Sequence, residues 1–489
     1  MPFPILSVIV FTPLAAGLLL LVIPADRKTE VRVISLAAAA ISLLLSLWTF
    51  INYSISAGGY QFVEHVPWLP ALGISYYMGV DGISLPLVLL TGIVVFCGVM
   101  ISWGVEDRPR EYYAFLMFLA TSVFGVFVSL DLFQLFFFFE IAVFPKYLMI
   151  VVWGYPKTRE YGGMKLTLYL FIGSVVALVG ALAMYFASGL HTFDLLALEK
   201  AGFSTAFQRI WFPVVFFGFA VLGGIFPFHS WAPDGHVAAP TAVSMLLAGV
   251  EMKVGAFAAL RVAISLLPDG AHYWSWLILV LATINVVYGA FIAMIQTDFK
   301  YVIGFSSVSH MGLVLIGFAT LNRDGLTGAG MQMFSHGVMT ALFFAIVGMV
   351  YDRTHTRDIA QLGGLMKRLP WAGVGFIIGG LVSMGMPGFS GFVAEFPIFM
   401  GFWQVAPILA VIAVLGVVIT AAYIFRVIGK VFFGELSPEY EKIEPEKPLD
   451  KVAIGLLSLT MIGLGVLPGL MVPMISSGVN HVLSLVGGA

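Results

Sequence analysis

Long apolar runs, separated by short clusters of polar and charged residues, fill the chain from end to end. A run of about 20 apolar residues is the length of helix that crosses a hydrocarbon core of about 30 Å. Fourteen runs meet that length, near 3–24, 32–52, 82–103, 112–129, 131–152, 165–187, 210–231, 240–265, 274–296, 300–320, 328–351, 372–402, 407–432 and 452–473. A transmembrane barrel would instead alternate apolar and polar residues over strands of about ten. The pattern therefore predicts an all-α polytopic membrane protein of about 14 transmembrane helices. The first run opens MPFPIL with no basic residue ahead of it and is followed by Arg27 and Lys28, which fits a retained span better than a cleaved leader.

Two of the runs are interrupted. Segment 221–240, VLGGIFPFHSWAPDGHVAAP, sets paired glycines and Pro227, Pro233 and Pro240 into the seventh span, and segment 384–392, MGMPGFSGF, does the same in the twelfth. Proline removes a helical donor and clashes with the preceding turn. The freed backbone groups are tolerated at membrane depth only against protein or a wet cavity. The broken spans stand five helices apart and run in opposite directions. That suggests two inverted five-helix repeats, 112–265 and 274–432, within one membrane domain of residues 1–489, flanked by helices in 1–103 and 452–473. The alternative, that glycine and proline merely ease tight packing, is the weaker reading of either break alone and weaker still for the pair.

Composition sharpens this picture. Hydrophobic residues make up 60% of the 489 and charged residues only 10%, well short of the roughly 25% charged of soluble domains. One cysteine, Cys97, excludes an intrachain disulfide, an iron–sulfur cluster or a cysteine-rich metal site held by this chain alone. Nucleotide-binding fingerprints are absent from the sequence, and the net charge of −2 points to no nucleic acid. Two haems would require two pairs of deep axial histidines, and only His310 and His336 lie deep. The basic residues are asymmetric. Eighteen of the 24 lie at the loops of one side, among them Arg27, Lys157, Lys300, Arg353, Arg357 and Lys447, against Lys200, Arg209, Arg261 and Arg323 opposite. By the positive-inside tendency this puts both termini on the non-cytoplasmic side of a multi-pass protein of the cell inner membrane.

Seven ionisable residues fall inside the predicted spans: Glu140, Lys146, Glu251, Lys253, His310, His336 and Glu395. A charge at mid-helix costs about 2.5–3.5 kcal/mol on insertion scales, so a row of them points to a function or to mutual pairing. Desolvated amines and imidazoles change charge near neutral pH, which suits a proton relay. Glu251 and Lys253, two positions apart, point about 200° from each other on a helix. Glu251 is thus the weaker candidate and pairs elsewhere.

The segments FPFHSWAPDGHVAAPTAVSMLLAGVEMKVGAF and QTDFKYVIGFSSVSHMG resemble the signature of the proton-pumping, antiporter-like membrane subunits of respiratory complex I (NADH:quinone oxidoreductase), nearest to type M, or chain 4, over about residues 75–432. The resemblance implies a non-catalytic translocase subunit that moves protons along buried Glu, Lys and His residues, driven by redox chemistry elsewhere. On it the proton path comprises Glu140, Lys253, His310, His336 and Glu395. It also implies L-type and N-type neighbours and surrounding lipid, with no cofactor in this chain and NAD, FMN, iron–sulfur centres and quinone in partner subunits. A glutamate at 395, where L and N types carry lysine, favours type M, as does the short stretch after 473. One position departs from the pattern: the usual seventh-helix lysine, seven residues before His229, is Leu222. Lys146, six residues beyond Glu140, either reaches back to that carboxylate or extends to the interface. The alternatives are a multisubunit cation/proton antiporter or membrane-bound hydrogenase subunit, or a spacer silenced by Leu222.

Overall fold

Thirteen helices, from Ile5–Val22 to Pro448–Val466, have the length and apolarity to cross a bilayer in the computed structural model, which describes residues 3–487. The remaining expected span, the twelfth, is present as two shorter helices, Pro370–Ser383 and Ser390–Val405. The helices form an inner and an outer set. The apolar middles of Thr241–Ile264 and Arg323–Thr354 are wholly enclosed by protein, and that of Phe299–Ala319 nearly so. Arg159–Ser188 and Pro407–Phe432 instead turn leucine, isoleucine, valine and phenylalanine outward, at Phe171, Ile172, Val179, Ile408, Val411 and Val418 among others. An exposed apolar face of that extent is stable only against lipid or another membrane subunit.

Sequence-local signals start several helices. Asp131, Ser204, Asp298 and Asn322 each accept a bond from a backbone N–H in the first turn that follows them, which satisfies donors that the helix itself cannot. Close approach fixes how the seventh and eighth spans meet. A Cβ on Gly255 would stand 2.6 Å from the Gly223 nitrogen and 2.7 Å from the Phe219 carbonyl, so only glycine permits this backbone contact.

Both expected breaks are present, and other spans satisfy what they free. The seventh span ends at Gly223, turns through Gly224 at φ +78°, and resumes as the short helix Trp231–Ala238. Asn285 of the ninth span closes the gap: its amide donates to the Gly224 carbonyl at 2.7 Å while its oxygen accepts from the Phe226 N–H at 2.5 Å. In the twelfth span the chain passes through Gly385 at φ +63°, where a side chain would also strike Glu395.

Two elements depart from the expected pattern. The long connection of residues 53–81 carries an antiparallel hairpin, Gln61–Leu69 with Ile74–Val80. The last expected span ends at Val466 rather than 473, and a 15-residue helix, Val472–Val486, follows it. That helix buries Ile475, Val479, Val482, Leu483 and Val486 along one face, and it is too short to register as a span.

Candidate functional site

The eighth span, Thr241–Ile264, organises the polar interior. Its ladder widens into a π turn at Leu247–Glu251, a local feature that loosens regular bonding and recurs at functional sites. The Ala248 carbonyl there accepts a bond from the Lys253 ammonium, a close contact. Lys253 also donates to His336 Nδ1 at 2.7 Å, so the proton of a neutral His336 sits on Nε2, which has no partner among the described residues.

From His336 the row continues by ring contact rather than by a hydrogen bond. The rings of His336 and His310 stack, with centroids 5.3 Å apart and planes at 15°. His310 Nε2 lies 3.7 Å from Glu395 Oε1, and Gln332 donates to the same oxygen at 3.2 Å. His310 has partners in either charge state. Its Nδ1–H donates to the Ser306 carbonyl at 2.8 Å. A protonated Nε2 donates to the Ser383 carbonyl at 3.1 Å, whereas an unprotonated Nε2 accepts from the Ser383 hydroxyl at 3.3 Å. Ser383 is the last residue before the break in the twelfth span, so that break supplies the carbonyl His310 uses. Lys253, His336, His310 and Glu395 thus form one buried polar line through four helices.

The other expected residues lie elsewhere. Glu140 and Lys146 both lie on the fifth span, Leu132–Trp153, whose helical bonding is locally irregular at Ala142. Glu140 is half-buried beside the outward-facing Phe137, Ile141 and Phe144, with no ion-pair partner among the described residues. Lys146 neither turns back to Glu140 nor extends to the interface, which corrects both readings of it. It is buried and paired with Glu251 Oε2 at 2.5 Å. The physical reason is the Glu251 carboxylate, which faces it from the eighth span on the side away from Lys253.

Three cations expected in loops are also buried. Arg261 donates to Asp81 at 2.6 Å and to the Tyr60 hydroxyl at 2.8 Å. Arg357 bonds the Val237 carbonyl at 3.0 Å and lies over the Tyr155 ring. Lys300 donates to the Ala239 carbonyl at 2.6 Å. Each sits at a span end, where a neighbouring carbonyl or carboxylate replaces water.

Lys300 marks a feature that sequence reasoning missed. It borders a cavity of about 560 Å³ at the basic end of the molecule, lined also by Trp153, Thr241, Tyr351, Asp352 and Arg357. Glu106 stands at this cavity too, and bonds from Lys28 and then Arg32 hold its carboxyl down to about 2. Inward of Lys300, across Phe344, lies His236, fully buried with neither ring nitrogen bonded among the described residues. A histidine in GHVAAP carried no periodicity signal of its own.

The chain matches the family described as NADH:quinone oxidoreductase/Mrp antiporter, TM, over residues 129–420. It is 37% identical to an NADH-quinone oxidoreductase subunit M of Rhodobacter capsulatus, the alignment covering 98% of this chain and 96% of that one. It is 36% identical to an NAD(P)H-quinone oxidoreductase chain 4-2 of Synechocystis sp., over 91% and 81% of the two chains. Among solved structures, a chain of respiratory complex I from Thermus thermophilus with bound NADH superposes with a TM-score of 0.91 at 29% identity, covering 99% of this chain and all of the other. A chain of the Mrp complex from Dietzia sp. shares the fold, with a TM-score of 0.86 at 20% identity over 99% and 97% of the two chains.

Proposed function

This chain belongs to the NADH:quinone oxidoreductase/Mrp antiporter membrane family, and we propose that it is the type M proton-translocating subunit of a complex I, moving protons while redox chemistry proceeds in partner subunits. The observation that carries this reading is the buried line Lys253–His336–His310–Glu395. Groups that accept and release protons stand next to one another there, joined by one hydrogen bond, one ring stack and one 3.7 Å contact, in a region where unpaired polarity is costly. The 560 Å³ cavity ending on Lys300 is the entry from the basic side, with His236 between it and Lys253.

On this reading the chain has no redox centre, and NAD, FMN, iron–sulfur centres and quinone belong to its partners. The outward apolar helices contact L-type and N-type neighbours and lipid. The two broken spans suit inverted repeats over 112–265 and 274–432, and the bias of basic residues orients both termini away from the cytoplasm of a cell inner membrane. Lys146 joins the path only through Glu251, while Glu140 borders the outer surface.

Lys253→Ala and Glu395→Ala test the reading in the assembled complex. Each variant is expected to form the complex, retain electron transfer and lose proton uptake in sealed vesicles. Native pumping by both would overturn the assignment. The shared fold favours a cation/proton antiporter as the second reading. Transport that required sodium rather than protons in the same vesicles would decide for it.

A further inference from the structure

Two ion pairs of a lysine or arginine with a carboxylate are buried on both sides among the described residues, Arg261–Asp81 and Lys146–Glu251. They differ in how completely they are satisfied. Asp81 uses one oxygen for Arg261 and the other for the N–H groups of Ile83 and Ser84. That pair is closed and holds the third span to the eighth. Glu251 binds Lys146 through Oε2, but its Oε1 has no partner. A buried carboxylate oxygen left open is costly unless something occupies it part of the time. Beside the pair lies a cavity of about 10 Å³, bordered by Ser122, Phe139, Lys146, Leu222 and Glu251, roughly the room one water requires. The polar groups there are a hydroxyl, an ammonium and the open carboxylate, enough to hold it. Lys146 and Glu251 are the titratable residues among all those bordering the cavity, which come from the fourth, fifth, seventh and eighth spans.

We propose that Lys146–Glu251 is a second proton-accepting site, a switch set on the side of the eighth helix opposite Lys253. It rests on the reading of the chain as a proton translocator. A hydronium reaching the cavity gives its proton to Glu251 Oε1 and leaves as water. One O–H bond breaks on the hydronium and one forms on the carboxyl. Lys146 keeps all its protons, so the pair changes from neutral to singly positive and the ammonium is released from Oε2. The new charge lies two residues from Lys253, on the helix whose π turn ends at Glu251. It repels the Lys253 ammonium and so favours transfer of the Lys253 proton to His336. Loss of the proton from Glu251 closes the pair again.

The test uses the intact complex in sealed vesicles. Removing one partner leaves an unpaired buried charge and confounds folding with function, so the informative variant is Lys146→Met combined with Glu251→Leu, which leaves none. It is expected to assemble and turn over as the native complex does while losing part of its proton uptake per electron pair. The second measurement is the infrared difference spectrum on adding the electron donor. A protonated-carboxyl band is expected in the native complex, lost in the double variant and kept in Glu140→Gln. Native proton uptake by the double variant, or an infrared spectrum unchanged in it, overturns the switch and leaves the pair a clamp. Lys253→Ala serves as the control: if it loses uptake while the double variant does not, only the switch fails, and if both pump normally, the translocator reading fails with it.

Discussion

The two faces of the eighth helix hold buried charge in different ways. On the Lys253 side four titratable groups stand in a row, and His310 has a bonding partner for either of its charge states. On the Glu251 side there is one ion pair, an apolar Leu222 and a carboxylate, Glu140, that stands apart. Neighbouring titratable groups let a proton move with small side-chain rearrangements. An isolated pair can change state only by opening. The difference teaches that one helix carries both a conducting line and a gate, each on its own face.

The largest expected effect breaks the gate side. Lys146→Met leaves the buried Glu251 carboxyl without its partner, and breaking a buried pair costs about 3–5 kcal/mol where it has been measured. The thermal midpoint of the purified complex should fall, and coupling should be lost. Adding Leu222→Lys returns a cation to the same cavity from the seventh span, since residue 222 borders it. Stability and part of the pumping should then return. If the second substitution restored neither, the position of the lysine rather than its charge would set the gate.

On the conducting side, His336→Leu removes the one side chain that Lys253 bonds, leaving the ammonium with a single carbonyl. Loss of a bond to a charged group costs about 1.5–3 kcal/mol, so pumping should fall roughly tenfold or more by the rate relation. Proton uptake in vesicles at matched electron transfer measures it. His310→Ala should cost less, about 1 kcal/mol or roughly fivefold, because a bridging water replaces much of a lost relay bond. A larger loss in His310→Ala than in His336→Leu would reverse the order of importance along the line.

These contrasts were partly legible in the sequence. The breaks announced themselves as Gly and Pro clusters inside apolar runs, since no uninterrupted helix tolerates them. The deep residues stood out because charge in a membrane span is rare. Angular spacing showed that Glu251 faces away from Lys253, but not toward what: its partner lies 105 positions away, and helical periodicity carries no information between helices. Lys146 was misplaced for a related reason, because its offset from Glu140 along one helix says nothing of the acid that faces it from another. The 15-residue helix Val472–Val486 escaped a search for span-length runs, although its buried residues recur at helical spacing. His236 and the cavity at Lys300 depend on packing among distant segments, which no local pattern encodes.

The smallest expected effect concerns Glu140, and it sharpens the comparison most. The resemblance assigns this carboxylate to the path through a seventh-helix lysine that here is Leu222. In the fold it is half-buried among outward-facing apolar residues with no cation beside it. Glu140→Gln keeps the shape and much of the hydrogen-bonding capacity while deleting the charge, so stability should change by no more than about 0.5 kcal/mol, as at sites without a specific partner. Pumping should stay close to native. The same substitution in the Lys146→Met/Leu222→Lys background meets a different neighbourhood, because a cation now projects from the seventh span. If Glu140→Gln is silent alone and costly there, the charge pairing follows the lysine's helix, and native Glu140 stands outside the path. A severe loss from Glu140→Gln alone would break the contrast between the two faces, since Glu140 would then draw its cation from a neighbouring subunit across the exposed face of Phe137, Ile141 and Phe144.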